Sequence, residues 1–533
     1  MGIYALRTNF GHHFKWGLLF IALIFFVGAI WQFGVAPSGK NGGSPGGNVV
    51  VATVNGQDIT RSDFDAAWEQ ASAQARERGI RSPLQYAELR AAIFQQMIQG
   101  KLILSAAERE GVDVSDRAVR DEVEKFVVES LKAQRQGIMG SSLTKKQAKL
   151  DPRKDSEYKK QLGSIGRSIS DAEQAARAQI PEDQVRAKIA YEGISRKMKE
   201  SIGSVTDKNV QDSYNAYKIR QILLTGLPKG QMKTRAQKIL SEARGGADFT
   251  ALAKANAMGP FKANGGQMEY TFDSRFMLPT EVRNTIEKMK PGGLSPAIET
   301  SFGTYIVKLE AVTPKLPAKL DKKTMDERRK QIAQDREMAA GMEFENRMRK
   351  NQDVKVTDPE LRAYWDYSQA MQSYGDQAKM KKLMEDATSS LISAHAKRPS
   401  DSIVSAKLAQ LLYQQGKVSD SITILYPMLE GKSASVEGAD LRVLLGDMLV
   451  AKSQKDKPAD KAATLGKAIK QYEIASEIEK RDVNIHQQLI GKFKQLGMAD
   501  KAAAEQQWVS DYQKKMDAMK AEQQPAGRPA PKK

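Results

Sequence analysis

Cysteine and histidine, side chains much used for nucleophilic and transition-metal chemistry, are scarce in this 533-residue chain. Cysteine is absent, which excludes disulfides, thiol nucleophiles and thiolate metal sites. The four histidines are His12, His13, His395 and His486, so none falls between Lys15 and Ala394. Over that interval neither a histidine metal site nor a Ser/His nucleophile can be assembled, and no Walker-type phosphate loop occurs. No metal and no cofactor is expected. Hydrogen-bonding and apolar side chains are the candidates of interest. One candidate is the charged helical segment from Lys319 to Lys350, which carries Met325, Ile332, Met338, Met342, Phe344 and Met348. Thioethers adapt to varied surfaces and suit a promiscuous groove. The same spacing also serves ordinary helix packing.

The segment from Ile219 to Leu309 has the richest pattern of elements. Ile219 to Leu224 reads as a strand, Thr234 to Arg244 as a helix, and Gly246 to Ala253 as a second helix. A turn at Gly265-Gly266 leads to a strand from Gln267 to Phe272. A helix from Pro279 to Met289 follows, ending at Lys290-Pro-Gly-Gly, and a strand from Gly303 to Leu309 closes the unit. The order is β-α-α-β-α-β, one small sheet with helices packed on it.

The phrases Gly246-Ala-Asp-Phe-x-x-Leu-Ala253, Gly265-Gly-x-Met268, Lys290-Pro-Gly-x-x-Ser295 and Thr300-x-Phe-Gly303 occur in that order. In sequence and spacing the segment resembles the parvulin, or PpiC, rotamase domain. The activity this implies, prolyl isomerisation, breaks no bond. Its barrier of about 18–20 kcal/mol is lost amide resonance, so a catalyst needs an apolar socket for the proline and a polar setting that favours the twisted amide. The resemblance places the two parvulin histidines at Gln221 and Tyr305. It places the family's Cys or Asp at Gly259 and keeps the network hydroxyl at Thr300. The socket it implies is Met268, Leu278, Val282 and Phe302, with Met277 entering if the register shifts by one residue. The socket is expected to survive in smaller form while the polar network is mostly gone. Gln and Tyr still hydrogen-bond.

Around this unit the chain is mostly helical. Gly17 to Val35 is an apolar run long enough to cross a bilayer, with Trp16 and Trp31 near its two ends. Arg7 and Lys15 before it favour a cytoplasmic N-terminus. A cleaved signal peptide is the other reading, although the run exceeds a usual h-region and no clear A-x-A site follows. Val49 to Thr60 reads as two short strands about an Asn-Gly turn. Helix-start phrases recur at Val114-Ser-Asp, Val205-Thr-Asp and Val356-Thr-Asp. Residues 134–202 are polar and basic, either a helical excursion or a partly disordered loop. The net charge of +19 is concentrated in part between Lys132 and Lys160. That cluster could lie against anionic lipid head groups or be a solvated helical face, and no nucleic-acid motif accompanies it. Val404 to Leu425 resembles a tetratricopeptide hairpin, with looser copies from Leu441 to Ile478 and Ile485 to Tyr512; a generic helical array fits equally.

Domain order, anchor and helix starts together resemble the SurA and PpiD class of periplasmic folding factors. The expected class is α+β and predominantly helical. The expected segments are a cytoplasmic stub and transmembrane anchor (1–35), a tether (36–48) and a SurA-like helical chaperone lobe (49–215). A parvulin-like domain (216–312), a helix returning to the lobe (313–365), TPR-like helical repeats (366–515) and a disordered basic tail (516–533) follow. The function this implies is a chaperone of the bacterial inner membrane, with its bulk in the periplasm. It would bind unfolded, newly translocated or proline-containing polypeptides and have weak or no isomerase activity. An active isomerase is one alternative; an adaptor whose repeats dock on the Sec translocon is another.

Overall fold

The computed structural model describes residues 49–140, 143–178, 182–227, 229–257, 261–300, 302–317, 320–373, 376–430 and 438–522. The apolar run from Gly17 to Val35, the tether and residues 523–533 lie outside them, while residues 516–522, expected within a disordered tail, end the last helix. Among the described residues no helix is long and apolar enough to cross a membrane. The protein is predominantly helical with small sheets and divides into two compact units, 103–196 being the described part of one and 49–102 with 197–522 that of the other.

In the larger unit β1 (Val50–Val54) and β2 (Gln57–Thr60) form a hairpin. Its turn, Asn55 and Gly56, has φ of 49° and 82°, the left-handed pair that matches strand twist and that Asn-Gly tolerates. Thr60 caps α1 (Arg61–Glu77) through a capping box with Asp63. Next comes α2 (Pro83–Arg109). These elements bury Val51, Val54, Ile59, Phe64, Phe94 and Ile98 in one core.

The smaller unit contains α3 (Asp116–Met139), α4 (Lys145–Lys149), α5 (Ser156–Ser164) and α6 (Ile169–Ala178). Most of α7 (Glu182–Ile202) also belongs to it. The described part of residues 134–202 is thus mainly helical. Small cores hold it, with Val127 and Leu131 against Ala172 and Ala176, and Met139 against Tyr158 and Leu162. Arg135, 1% exposed, explains how so polar a segment folds down: its guanidinium donates to Asp155 and to the carbonyls of Leu150 and Ala148 at 3.1–3.3 Å. The backbone carbonyls of Ala148 and Leu150 thereby gain partners on the buried guanidinium.

Back in the larger unit, α8 (Asp207–Asp212) precedes a four-stranded sheet. Its members are β3 (Asn215–Leu224), β4 (Gln267–Tyr270), β5 (Ile298–Thr300) and β6 (Gly303–Pro314), in the order β4-β3-β6-β5 and antiparallel throughout. On one face α9 (Lys229–Arg244) and α10 (Phe249–Asn256) pack through Ile239, Leu240 and Phe249 onto Ile222, Leu224 and Ile306. On the other lies α11 (Thr280–Glu287), carrying Val282 and Ile286. The strand expected to reach Phe272 stops at Tyr270 and gives way to a 3-10 turn, Phe272–Met277. Thr271 accepts from the Ser274 amide there, which offers the backbone an alternative to the ladder.

The 29-residue α12 (Lys322–Lys350) then returns the chain to β7 (Val354–Val356), which pairs with β1. The third helix-start phrase is capped by Asp358 rather than Thr357, which instead donates to Val50 O. Pro359 is the reason: it fits the first helical position, so the residue before it must be the cap. Helical hairpins follow: α13 (Pro359–Gln372) with α14 (Gln377–Lys397), α15 (Ser402–Gln414) with α16 (Val418–Glu430), α17 (Ala439–Ser453) with α18 (Pro458–Ile478), and α19 (Val483–Gln495) with α20 (Ala499–Glu522).

These hairpins dock directly on α2. Glu360, 1% exposed, accepts from Arg90 at 2.8 Å, from Arg398 at 2.6 Å and from the Tyr364 hydroxyl at 2.9 Å. Asp401 takes a second bond from Arg90 at 3.1 Å, Lys407 donates to Glu88 at 2.6 Å, and Leu84 packs into the core of α15 to α17. Burial opposes the charge on Arg90, but the carboxylates of Glu360 and Asp401 outweigh it and push its pKa up.

Candidate functional site

Strand alternation sorts the sheet's side chains into two faces. Ile219 of β3 and Tyr305, Val307 and Leu309 of β6 share the α11 face, so Gln221 is placed on it as well. Gly266 and Gly303 hold the backbones close enough for this arrangement. A Cβ on Gly266 would stand 2.1 Å from Gln221 O, and one on Gly303 2.2 Å from Leu224 O, and both have positive φ, 76° and 133°. Only glycine fits such contacts. The Gly-Gly and Phe-Gly phrases are thus explained by strand packing.

Gln221 is 4% exposed. Its Nε2 lies 3.4 Å from the Met268 sulfur, a weak acceptor, and its Oε1 has no partner among the described residues. Tyr305, 7% exposed, has its hydroxyl pKa raised by burial. Thr300 is engaged elsewhere: its hydroxyl donates to Gly303 O at 2.9 Å and accepts from the Phe302 amide at 3.1 Å. It therefore closes the β5–β6 turn. Gly259 lies outside the described residues. Gln221, Thr300 and Tyr305 are thus on neighbouring strands, yet no hydrogen bond joins them among the described residues.

Of the apolar residues, Met268, Leu278 and Val282 meet in one core with Tyr305, Ile286 and Ile298, whereas Phe302 stands outside it and is 47% exposed. Leu278, Val282 and Ile286 are four apart and form the inward stripe of the 3-10/α11 corner. Val282 has no exposure and so offers a ligand nothing without a rearrangement. Solvent-facing apolar groups near this stripe in sequence are Phe276 and Met277, 55% and 60% exposed. Met277 is the residue that a one-step shift in register brings into the socket.

Sequence reasoning missed what holds this corner. Asp335 of α12 accepts from Arg275 at 3.0 Å and from the buried Arg283 at 2.9 Å. Arg328 makes a two-pronged pair with Asp273 at 2.6 and 3.1 Å, and its guanidinium lies 4.6 Å from the Tyr214 ring centroid. The Asp273 carboxyl is lowered chiefly by that hydrogen bond. The basic residues gave no signal of their own, because an arginine eight positions from another identifies no distant partner. Below the corner, Tyr270 donates to Glu287 at 2.8 Å; burial first, then that carboxylate, push its hydroxyl pKa up. On α12 itself only Ile332 is buried; Met338 and Met342 are 42% and 54% exposed.

Residues 4–136 match the SurA-like N-terminal domain, and residues 223–311 match the PPIC-type PPIASE domain. The chaperone SurA of Cupriavidus pinatubonensis is 26% identical over 292 residues, covering 52% of this chain and 54% of that protein. The foldase protein PrsA of Caldanaerobacter subterraneus subsp. tengcongensis is 27% identical over 306 residues, 56% of this chain and 83% of that protein. The chain spans about half the length of the first of these relatives, 54% of it. Among solved structures, the foldase PrsA of Streptococcus pneumoniae is 20% identical, covers 59% of this chain and 97% of that one, and superposes with a TM-score of 0.23, too low to bear on the fold. The chain thus carries a SurA-like N-terminal domain and a PPIC-type rotamase domain, and it is similar to the chaperone SurA and foldase PrsA proteins.

Proposed function

We propose that this protein is a client-holding folding factor whose rotamase domain binds polypeptide but isomerises proline weakly or not at all. The observation that carries the reading is the state of the polar positions. Gln221 faces a thioether, Thr300 closes a turn, and Tyr305 sits in an apolar core. None of these is arranged to stabilise a twisted amide, which needs contacts stronger in the transition state than in the ground state. The holding surface in this reading includes α12, whose Met338 and Met342 face solvent on a helix with one buried side chain. Exposed, adaptable thioethers favour the binding role over core packing.

The setting belongs to the same proposal. Gly17 to Val35 serves as a single inner-membrane anchor with the N-terminus cytoplasmic, and the bulk of the chain is periplasmic, meeting segments as they are translocated. The TPR-like hairpins stiffen the lobe through α2 and offer a surface to the Sec translocon. No ATP is consumed. The test is suppression of aggregation of a denatured, proline-free client by the full chain. Met338→Ser with Met342→Ser should raise the chaperone concentration required several-fold while the circular dichroism spectrum stays unchanged. Equal protection by the double variant would remove α12 from the holding surface.

A further inference from the structure

The end of α3 in the smaller unit carries a surface that client holding does not use. Arg135 ties the backbone at Ala148 and Leu150 to this helix, and Tyr158 of α5 reaches Gln134 at 3.4 Å, so the 148–165 excursion is fastened along its last turns. Three aliphatic side chains remain outward on this construction: Ile138, Leu150 and Ile165, 38%, 40% and 57% exposed. Between and beside them in sequence stand Lys149, Lys154, Lys159 and Lys160, all exposed. Among the described residues none of these four lysines forms an ion pair, whereas Arg153 is held by Glu124 and Glu173. From Leu143 to Ser168 the chain has eight basic residues and three acidic ones. One of the three, Asp155, is buried against Arg135, so little negative charge is left to answer the lysines.

We infer that this face docks on the anionic phosphate head groups of a phospholipid bilayer. Scattered aliphatics among lysines enter the interfacial layer individually, while the lysine stems reach back to the phosphates. Positive charge complements an anionic leaflet, with each lysine near the surface strengthening binding about fivefold. Lysines interspersed with sparse aliphatics favour an anionic lipid surface over an apolar client segment, which would leave the lysines unanswered. The buried Arg135 fork holds the backbone at Ala148 and Leu150 in place beside α3.

The absence of cysteine allows a single reporter. The full chain with Ser164→Cys, labelled with an environment-sensitive dye, is mixed with vesicles of phosphatidylcholine alone or with one-third phosphatidylglycerol. A blue shift is expected only with the anionic vesicles. It should require at least tenfold more lipid in the Lys154→Glu, Lys159→Glu, Lys160→Glu variant, and 0.5 M salt should reverse it in the chain with its lysines intact. The salt arm needs no variant and so does not depend on the triple substitution folding. If the apolar run at 17–35 holds the chain on both vesicle types, the two will bind equal protein, yet the dye at 164 should still distinguish them. Equal shifts with both lipids, or an undiminished shift in the triple variant and in high salt, would overturn the inference. So would a shift of equal size from denatured casein without lipid, which would make the face a polypeptide site.

Discussion

Replacing Glu360 with Leu removes the hub that fastens the C-terminal hairpins to α2. The carboxylate is 1% exposed and accepts from Arg90, Arg398 and Tyr364. Its loss leaves the Arg90 side chain, itself only 13% exposed, with Asp401 as its remaining ion-pair partner at 3.1 Å. Breaking a buried ion pair from one side costs about 3–5 kcal/mol. Because Asp401 stays and Arg398 can turn toward water, the lower end, about 3 kcal/mol, is expected here. Chemical unfolding followed by tryptophan fluorescence reads this cost, since Trp68 lies under the Arg90 guanidinium at 4.8 Å and Trp365 borders the same core. Changing Arg90→Met together with Glu360→Leu should recover much of the loss, because an apolar pair carries no stranded charge. A cost below about 1 kcal/mol for Glu360→Leu, with no recovery in the double variant, would refute the view that this network binds lobe and hairpins together.

Two further outcomes follow from single contacts. Gly266→Ala puts a methyl 2.1 Å from Gln221 O at a φ of 76°; the β3–β4 edge should open, with a loss of about 2 kcal/mol or more and faster amide exchange at Gln221, whose N–H bonds Gly266 O at 2.8 Å. A neutral effect would mean that the strands separate easily. Asp440, where α17 meets Ser82, has its pKa raised by burial. A raised carboxyl favours the fold most fully below its unfolded value near 3.8 and loses that contribution as pH rises through the folded value. Asp440→Asn should therefore be more stable than the parent at neutral pH, with the difference shrinking toward pH 4 in paired melting curves. A difference that grows on acidification would contradict the assignment.

Local chemistry made much of the small sheet domain readable. Gly265-Gly266, Lys290-Pro-Gly and Phe302-Gly303 mark places where the backbone turns or approaches closely, and such requirements survive even when the side chains of a site have changed. The Asn55-Gly56 hairpin was legible for the same reason. Long-range partners were not. Nothing near Arg283 in sequence indicates Asp335, and nothing near Arg90 indicates Glu360 or Asp401, because ion pairs between distant residues leave no period or spacing. The helical character of residues 134–202 was ambiguous because its apolar side chains gather in small, separate cores and its one buried arginine stands in sequence among solvated basic residues. Val282 illustrates a limit of carrying a site over by resemblance. The likeness to the parvulin domain implied a socket position, and the structure places the side chain wholly in the core as part of α11's inward stripe.

On the proposed function, the rotamase fold persists without its polar network, and NMR exchange spectroscopy on an X-Pro peptide, with the full chain added at a tenth of the peptide concentration, reads this out. Peptide line broadening or shifts from binding are expected, with an isomerisation rate close to the uncatalysed one of tens of seconds or longer. Strong acceleration of cis–trans exchange, abolished by Tyr305→Phe or Gln221→Leu in chains that still fold, would contradict it.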